Sequence, residues 1–244
     1  MRNNALQPRK SLNKAFLKVK PIREEIETFK SNLIKLLDQI NEAESEEFHK
    51  NLISDFLKNT YYSPNHFINT RGRNDLVIHN GKDAKSSVGV ILEAKKPTNK
   101  SEMLKVENLN AKAFQELVLY FLRDRVSGKN LEIRYLVATN IYEWFIFDAN
   151  IFEQYFAQNK ALAKQFTDFE NGRLTGKTTD FFYKQIAEPE IARIHDRLEF
   201  TYFDIRDYES FLRNTEVQDD RELITLFKVL SPEHLLRGYL KTRR

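Results

Sequence analysis

Two carboxylates and a lysine stand close together near the middle of the chain. Asp75 lies in Arg73-Asn-Asp-Leu-Val-Ile78, and Glu93 and Lys95 lie in Val90-Ile-Leu-Glu-Ala-Lys-Lys-Pro97. Both segments have the composition of strands, and residues two apart on a strand share a face, so Glu93 and Lys95 point the same way. If the two strands pair as a hairpin, Asp75 comes alongside them. Carboxylates brought that close repel unless a cation sits between them, and a hard oxygen donor set of this kind suits Mg²⁺, with Mn²⁺ as a substitute. A lysine beside such an ion can position, or help deprotonate, a bound water whose pKa the ion has lowered. The plain alternative is a solvated cross-strand ion pair, for which Glu-x-Lys is a common pattern. Against it, Glu93 follows the unbroken run Val88-Gly-Val-Ile-Leu92, which reads as an interior strand where acidic residues are rarely buried unless paired or ligating. Asp75 likewise abuts Leu-Val-Ile78.

The elements that must position these groups follow from periodicity. Residues 1 to 20 carry Arg9, Lys10, Lys14, Lys18 and Lys20 among scattered apolar residues and read as an arm packed on the surface. Amphipathic helices are expected over 22–40 and 43–58, the second with Phe48, Leu52, Ile53, Phe56 and Leu57 on one face. Strands follow at 75–78 and 88–94, and the Asn80-Gly81 between them is a strong turn signal. A helix is expected over 108–127 with Phe114, Leu117, Val118, Phe121 and Leu122 buried and Gly128 at its C-terminal cap. Strands at 133–139 and 143–147 come next, then a mostly helical remainder with a short strand at 200–203. The fold class implied is α/β, a central mixed sheet of about four to five strands flanked by helices, with a helical C-terminal extension. Residues 1–150 form the core with its N-terminal helices, and 151–244 an extension packed on it as one unit.

Composition removes several classes. The chain has 244 residues, no cysteine and a formal charge of +4. It is long enough to bury a core unaided, and thiol nucleophiles, Cys-ligated zinc and iron–sulfur clusters are excluded. No apolar run approaches the roughly 18–20 residues of a membrane helix, and the N-terminus lacks a signal peptide's apolar core, so a cytoplasmic protein away from membranes is expected. The five histidines show no metal-ligand spacing, and no Gly-rich phosphate loop or Ser/His/Asp motif occurs.

The Asp75, Glu93 and Lys95 set resembles that of the PD-(D/E)xK nuclease superfamily, with Asn74 where the family has proline. More narrowly, four segments look like the N-terminal cleavage domain of type IIG restriction enzymes, which fuse an endonuclease to an adenine methyltransferase. They are Ile68-Asn-Thr-Arg-Gly-Arg-Asn-Asp-Leu-Val-Ile-His79, Leu92-Glu-Ala-Lys-Lys-Pro97, 110–125 and Thr139-Asn-Ile-Tyr-Glu-Trp-Phe-Ile-Phe-Asp148. The resemblance covers roughly residues 1–235 and implies a restriction-endonuclease-like fold. It also implies Mg²⁺-dependent hydrolysis of DNA phosphodiesters to 5′-phosphate and 3′-hydroxyl ends. In that reading Asp75, Glu93 and the backbone carbonyl of Ala94 hold the metal, and Lys95 holds the attacking water. The superfamily often adds a glutamate from the preceding helix, for which Glu46 and Glu47 are candidates. On a helical wheel Glu46 lies about 70° from the centre of the apolar face and Glu47 nearly opposite, which favours Glu46. Gln115 is the matching residue in the following helix, at the rim of its apolar stripe, where it could reach Lys95 or a phosphate. A plain surface glutamine is the alternative.

Double-stranded DNA is the expected partner. Arg71, Arg73, Lys96, Lys100, Lys105 and Lys112 fall near the proposed site and suit phosphate neutralisation, which carries no base specificity. Tyr61 and Tyr62 read as a hydrophobic closure of the helix, with stacking near the active edge the alternative, and Trp144 reads as core. The methyltransferase and target-recognition motifs of type IIG enzymes do not occur in these residues. Specificity is therefore expected from a methyltransferase and target-recognition module, in cis or as a separate chain. Two other classes stay open: a catalytically inactive nuclease-fold module that binds DNA or a partner subunit, and a metabolic enzyme using the carboxylates for acid–base work.

Overall fold

The computed structural model describes residues 4–71, 74–213 and 220–237, and for Arg71, Asn74 and Asp75 the backbone alone. Ala5–Leu6 (β1) starts the chain at one edge of a sheet. Helices Arg23–Asp38 (α1) and Glu46–Leu57 (α2) follow. Ser45 caps α2 by accepting from the Phe48 amide at 3.1 Å, and Glu46 and Glu47 occupy its first turn, where the helix dipole favours carboxylates. Ile68–Arg71 (β2), Asn74–His79 (β3) and Val88–Ala94 (β4) then form an antiparallel meander. The turn after β3 needs Gly81, because a Cβ there would stand 2.8 Å from that of Ser86.

Helix Lys112–Leu122 (α3) crosses over the sheet and ends in a single wide turn closed by the Gly128 amide on the Arg123 carbonyl, 2.8 Å. It delivers Tyr135–Thr139 (β5) parallel to β4, and Glu143–Asp148 (β6) returns antiparallel. Helices Lys160–Glu170 (α4) and Glu188–Ile194 (α5), strand Phe200–Asp204 (β7) and helix Arg221–Leu230 (α6) follow. The sheet runs β1-β7-β6-β5-β4-β3-β2, so it is a mixed sheet of seven strands flanked by helices.

Each face of the sheet covers its own core. Val77, Ile91, Phe145 and Phe147 pack under α3 with Phe114, Phe152 and Phe156. Leu76, Val90, Leu92, Trp144 and Phe203 pack under α1, α2 and α6 with Phe29, Phe56 and Leu226. Alternation along the strands, period two, sends these residues to opposite faces. β4, with helices on both sides, is buried at every position, which explains its unbroken apolar run.

Two local readings change. The sheet has seven strands where the periodicity predicts about four to five. The N-terminal arm also enters the fold: β1 pairs in parallel with β7, and Leu12 and Phe16 are buried. The Lys228 ammonium ties that arm to α6 by donating to the carbonyls of Phe16, Leu17 and Val19 at 2.9, 3.1 and 2.5 Å. Tyr61 and Tyr62 close the helix hydrophobically, as expected: Tyr62 is fully buried and donates to the Leu230 carbonyl at 2.8 Å, while Tyr61 packs against Phe29, Phe56 and Phe227. No described helix is long and apolar enough to cross a membrane.

Candidate active site

The carboxyl end of β4 carries the charged cluster. Glu93 is the last but one residue of that interior strand and is 2% exposed; Lys95, just past its end, is equally buried. Backbone pairing fixes both. Glu93 stands opposite Ala138 of β5, and the Lys95 amide donates to the Thr139 carbonyl at 2.8 Å. On the other side, β3 pairs Leu76 with Leu92, so Asp75 precedes and Glu93 follows that pair at the same level of neighbouring strands. The side chain of Asp75 lies outside the described residues. So do the side chain of Arg71 and the whole of Arg73.

Among the described residues four carboxylates face the Lys95 ammonium. Glu93 and Glu116 contact it at 2.7 Å, Glu46 lies at 3.6 Å and Glu102 at 3.8 Å. Burial alone would favour a neutral amine, but the Glu93 and Glu116 charges outweigh it and hold the Lys95 pKa well above the usual lysine value. In this arrangement Lys95 is an ammonium, a hydrogen-bond donor and charge carrier with no lone pair to accept a proton. Tyr183 borders the cluster. Its burial, then the Glu116 and Glu93 charges, push the phenol up to about 12.

Glu46 and Glu47 diverge as their wheel angles predict. The Glu46 carboxylate accepts from the Lys96 amide at 3.4 Å and faces Lys95, whereas Glu47 pairs with Lys50 on the solvent side. Gln115 is buried, and its amide donates to Asn110 Oδ1 at 3.1 Å, so it braces the loop before α3 and is not a plain surface glutamine. The helix residue that touches Lys95 is its neighbour Glu116, which sequence reasoning misses. Glu102, also missed, comes from the loop between β4 and α3 and is held by Lys112 at 2.7 Å and Asn99 at 3.0 Å. Burial opposes the Glu102 charge, yet these two hydrogen bonds prevail and lower its pKa.

The proposed phosphate contacts divide. Lys96 folds over the loop before α2 and donates to the carbonyls of Glu42 and Glu44, both at 3.2 Å, and Lys112 is paired with Glu102. Lys100 and Lys105 are exposed. Ala94 is buried at the end of β4.

Among the described residues no three acidic or histidine side chains are grouped at metal-ligand spacing; the carboxylates converge on the Lys95 ammonium instead. The donor chemistry still fits a hard divalent ion. The set is all oxygen, and among the described residues negative charge outnumbers positive, with four carboxylates against Lys95 and Lys112.

A family described as a domain of unknown function (DUF7149) matches residues 6–242, and the chain belongs to that family. No curated protein and no solved structure matches the chain.

Proposed function

We propose that the chain is a Mg²⁺-dependent DNA endonuclease of restriction type, built on a restriction-endonuclease-like fold. The observation that carries the reading is the buried Glu93–Lys95 pair, in contact at 2.7 Å at the end of an interior strand, with Asp75 at the same level of the next strand. Burying two charged residues two apart on a strand is costly unless the pair has work to do. The order of elements around it also supports the reading: helix, antiparallel hairpin, crossover helix, parallel strand.

Asp75, Glu93 and the Ala94 carbonyl would hold the ion. Mg²⁺, when bound, supplies Lewis acidity that lowers the pKa of water and offsets phosphate charge. Lys95 donates from its ammonium to the attacking water or to a phosphate oxygen, orienting the reactants as charge builds on phosphorus. Glu46 faces the same ammonium from the start of α2 and adds negative charge to the ion's side of the site. The water oxygen bonds to phosphorus, the bond to the 3′-oxygen breaks, and that oxygen leaves with a proton as the 3′-hydroxyl, leaving a 5′-phosphate. Site choice on double-stranded DNA would come from a methyltransferase and target-recognition module, in cis or on a separate chain. Full-length protein should nick plasmid DNA when Mg²⁺ or Mn²⁺ is added, and Lys95→Ala should abolish this; cleavage retained by that variant would sink the assignment.

A second reading, an inactive nuclease-fold module that binds DNA or a partner subunit, draws on one observation. Lys96 and Lys112, both near the site, spend their charges on groups of the chain itself. It predicts salt-sensitive binding that Asp75→Asn leaves unchanged, with no cleavage in Mg²⁺.

A further inference from the structure

We infer that Glu116 is the positioning residue of Lys95, its carboxylate fixing the ammonium at the end of β4; the inference rests on the nuclease reading above. Among the described residues four carboxylates reach toward Lys95, and three have other duties. Glu93 belongs to the proposed ion site. Glu46 accepts from the Lys96 amide and is 39% exposed in its side chain. Glu102 is drawn off by Lys112 and Asn99 and stands 3.8 Å away. Glu116 is different: its side chain is 10% exposed, and its ion pair is to Lys95 at 2.7 Å.

The placement is rigid. Glu116 sits in the middle of α3, where each residue from Ala113 to Leu122 is buried, with Phe114 and Leu117 anchoring the helix to the sheet. The Ala113 amide donates to the Glu102 carbonyl at 3.0 Å, which ties the helix start to the loop leaving β4. A four-carbon lysine stem has many rotamers, and the reaction needs one of them. Once Glu93 is engaged with a divalent ion, its hold on the ammonium weakens. The Glu116 contact at 2.7 Å then keeps Lys95 aimed. An acid in the crossover helix thus completes a site whose other members come from β3, β4 and α2.

Isotope-labelled lysine side chains in the full chain provide the first test. Lys95 should give a slowly exchanging ammonium signal, identified by its loss in Lys95→Met. Glu116→Gln, which keeps the shape and removes the charge, should abolish that signal, whereas Glu116→Asp should retain it. Cleavage of plasmid DNA in Mg²⁺ is the second test. Glu116→Gln should lower turnover by about 10- to 100-fold, as loss of a residue supporting a metal site typically does, with the KM for DNA unchanged, and Glu116→Asp should recover part of it. An unchanged Lys95 signal, wild-type turnover in Glu116→Gln, or equal turnover of the Asp and Gln variants overturns the inference. Should Glu116→Gln not fold, a Glu116→Asp variant lacking the signal overturns it. If the wild type fails to cleave in Mg²⁺, the nuclease reading falls, and the ammonium signal alone decides whether Glu116 positions Lys95.

Discussion

Replacing Lys95 with methionine tests the cluster through stability before any substrate is added. Methionine fills the volume of the lysine stem but removes the ammonium that Glu93 and Glu116 contact at 2.7 Å, in a place where Glu93 and Lys95 are each 2% exposed. Removing one partner of a buried ion pair strands the other, at a cost of about 3–5 kcal/mol. For a chain of this size, with about 2–4 °C of Tm per kcal/mol, the expected fall is roughly 6–20 °C. The pH dependence has a definite sign. The Lys95 pKa is raised on folding, so its contribution is complete below the unfolded lysine pKa, about 10.4, and is lost only as pH rises through the higher folded value. The stability difference between wild type and variant, measured by urea denaturation, should therefore be flat across neutral pH. Because the pair is buried, it should also change little between low and high salt. Adding Glu116→Gln to Lys95→Met removes one stranded carboxylate and should restore part of the loss. A cost below about 1 kcal/mol, the value of an exposed pair, or a strong salt dependence would refute the claim that Lys95 closes a buried carboxylate cage.

Other outcomes follow from the same geometry. Glu46→Gln should reduce Mg²⁺-dependent plasmid nicking by about 10-fold or more, while Glu47→Gln, which touches only Lys50 in this region, should stay near wild type. Tyr183 should ionise with a midpoint near 12, read as the difference in phenolate absorbance between wild type and Tyr183→Phe. Since its folded pKa is raised, its contribution to stability is present below pH 10 and is lost as pH climbs through 12. Phe114→Ala should cost about 3–5 kcal/mol in denaturation experiments. Phe114 is fully buried among Phe147, Phe152 and Phe156, with ring centres at 4.9, 5.2 and 6.2 Å.

The parts of the site legible in sequence are those set by local periodicity. Glu93 and Lys95 share a strand, so their spacing alone places them together, and the apolar run before them announces an interior strand. The wheel separates Glu46 from Glu47 because α2 is amphipathic, with one face to solvent. The same method fails for Glu116. It lies about 170° from the centre of the α3 apolar stripe, which reads as solvent-facing. Yet α3 is covered on that side too, by the chain around Tyr183 and the loop from Lys96, so the stripe no longer marks what is buried. Glu102 escapes notice because its loop position has no period. β1 is two residues long and gains its meaning only from Phe200–Thr201, nearly two hundred residues away, and no local pattern announces such a pairing.

The central claim, that this carboxylate–lysine cluster hydrolyses DNA, meets its most direct test in one measurement. The 244-residue chain is incubated with plasmid DNA and Mg²⁺ beside its Asp75→Asn, Glu93→Gln and Lys95→Ala variants, and end-labelling identifies the product termini. The account predicts Mg²⁺-dependent nicking with 5′-phosphate and 3′-hydroxyl ends by the wild type, lost in all three variants while each remains folded. Cleavage that survives Lys95→Ala or Glu93→Gln, or a folded wild type that binds DNA and leaves it intact in both Mg²⁺ and Mn²⁺, would contradict it.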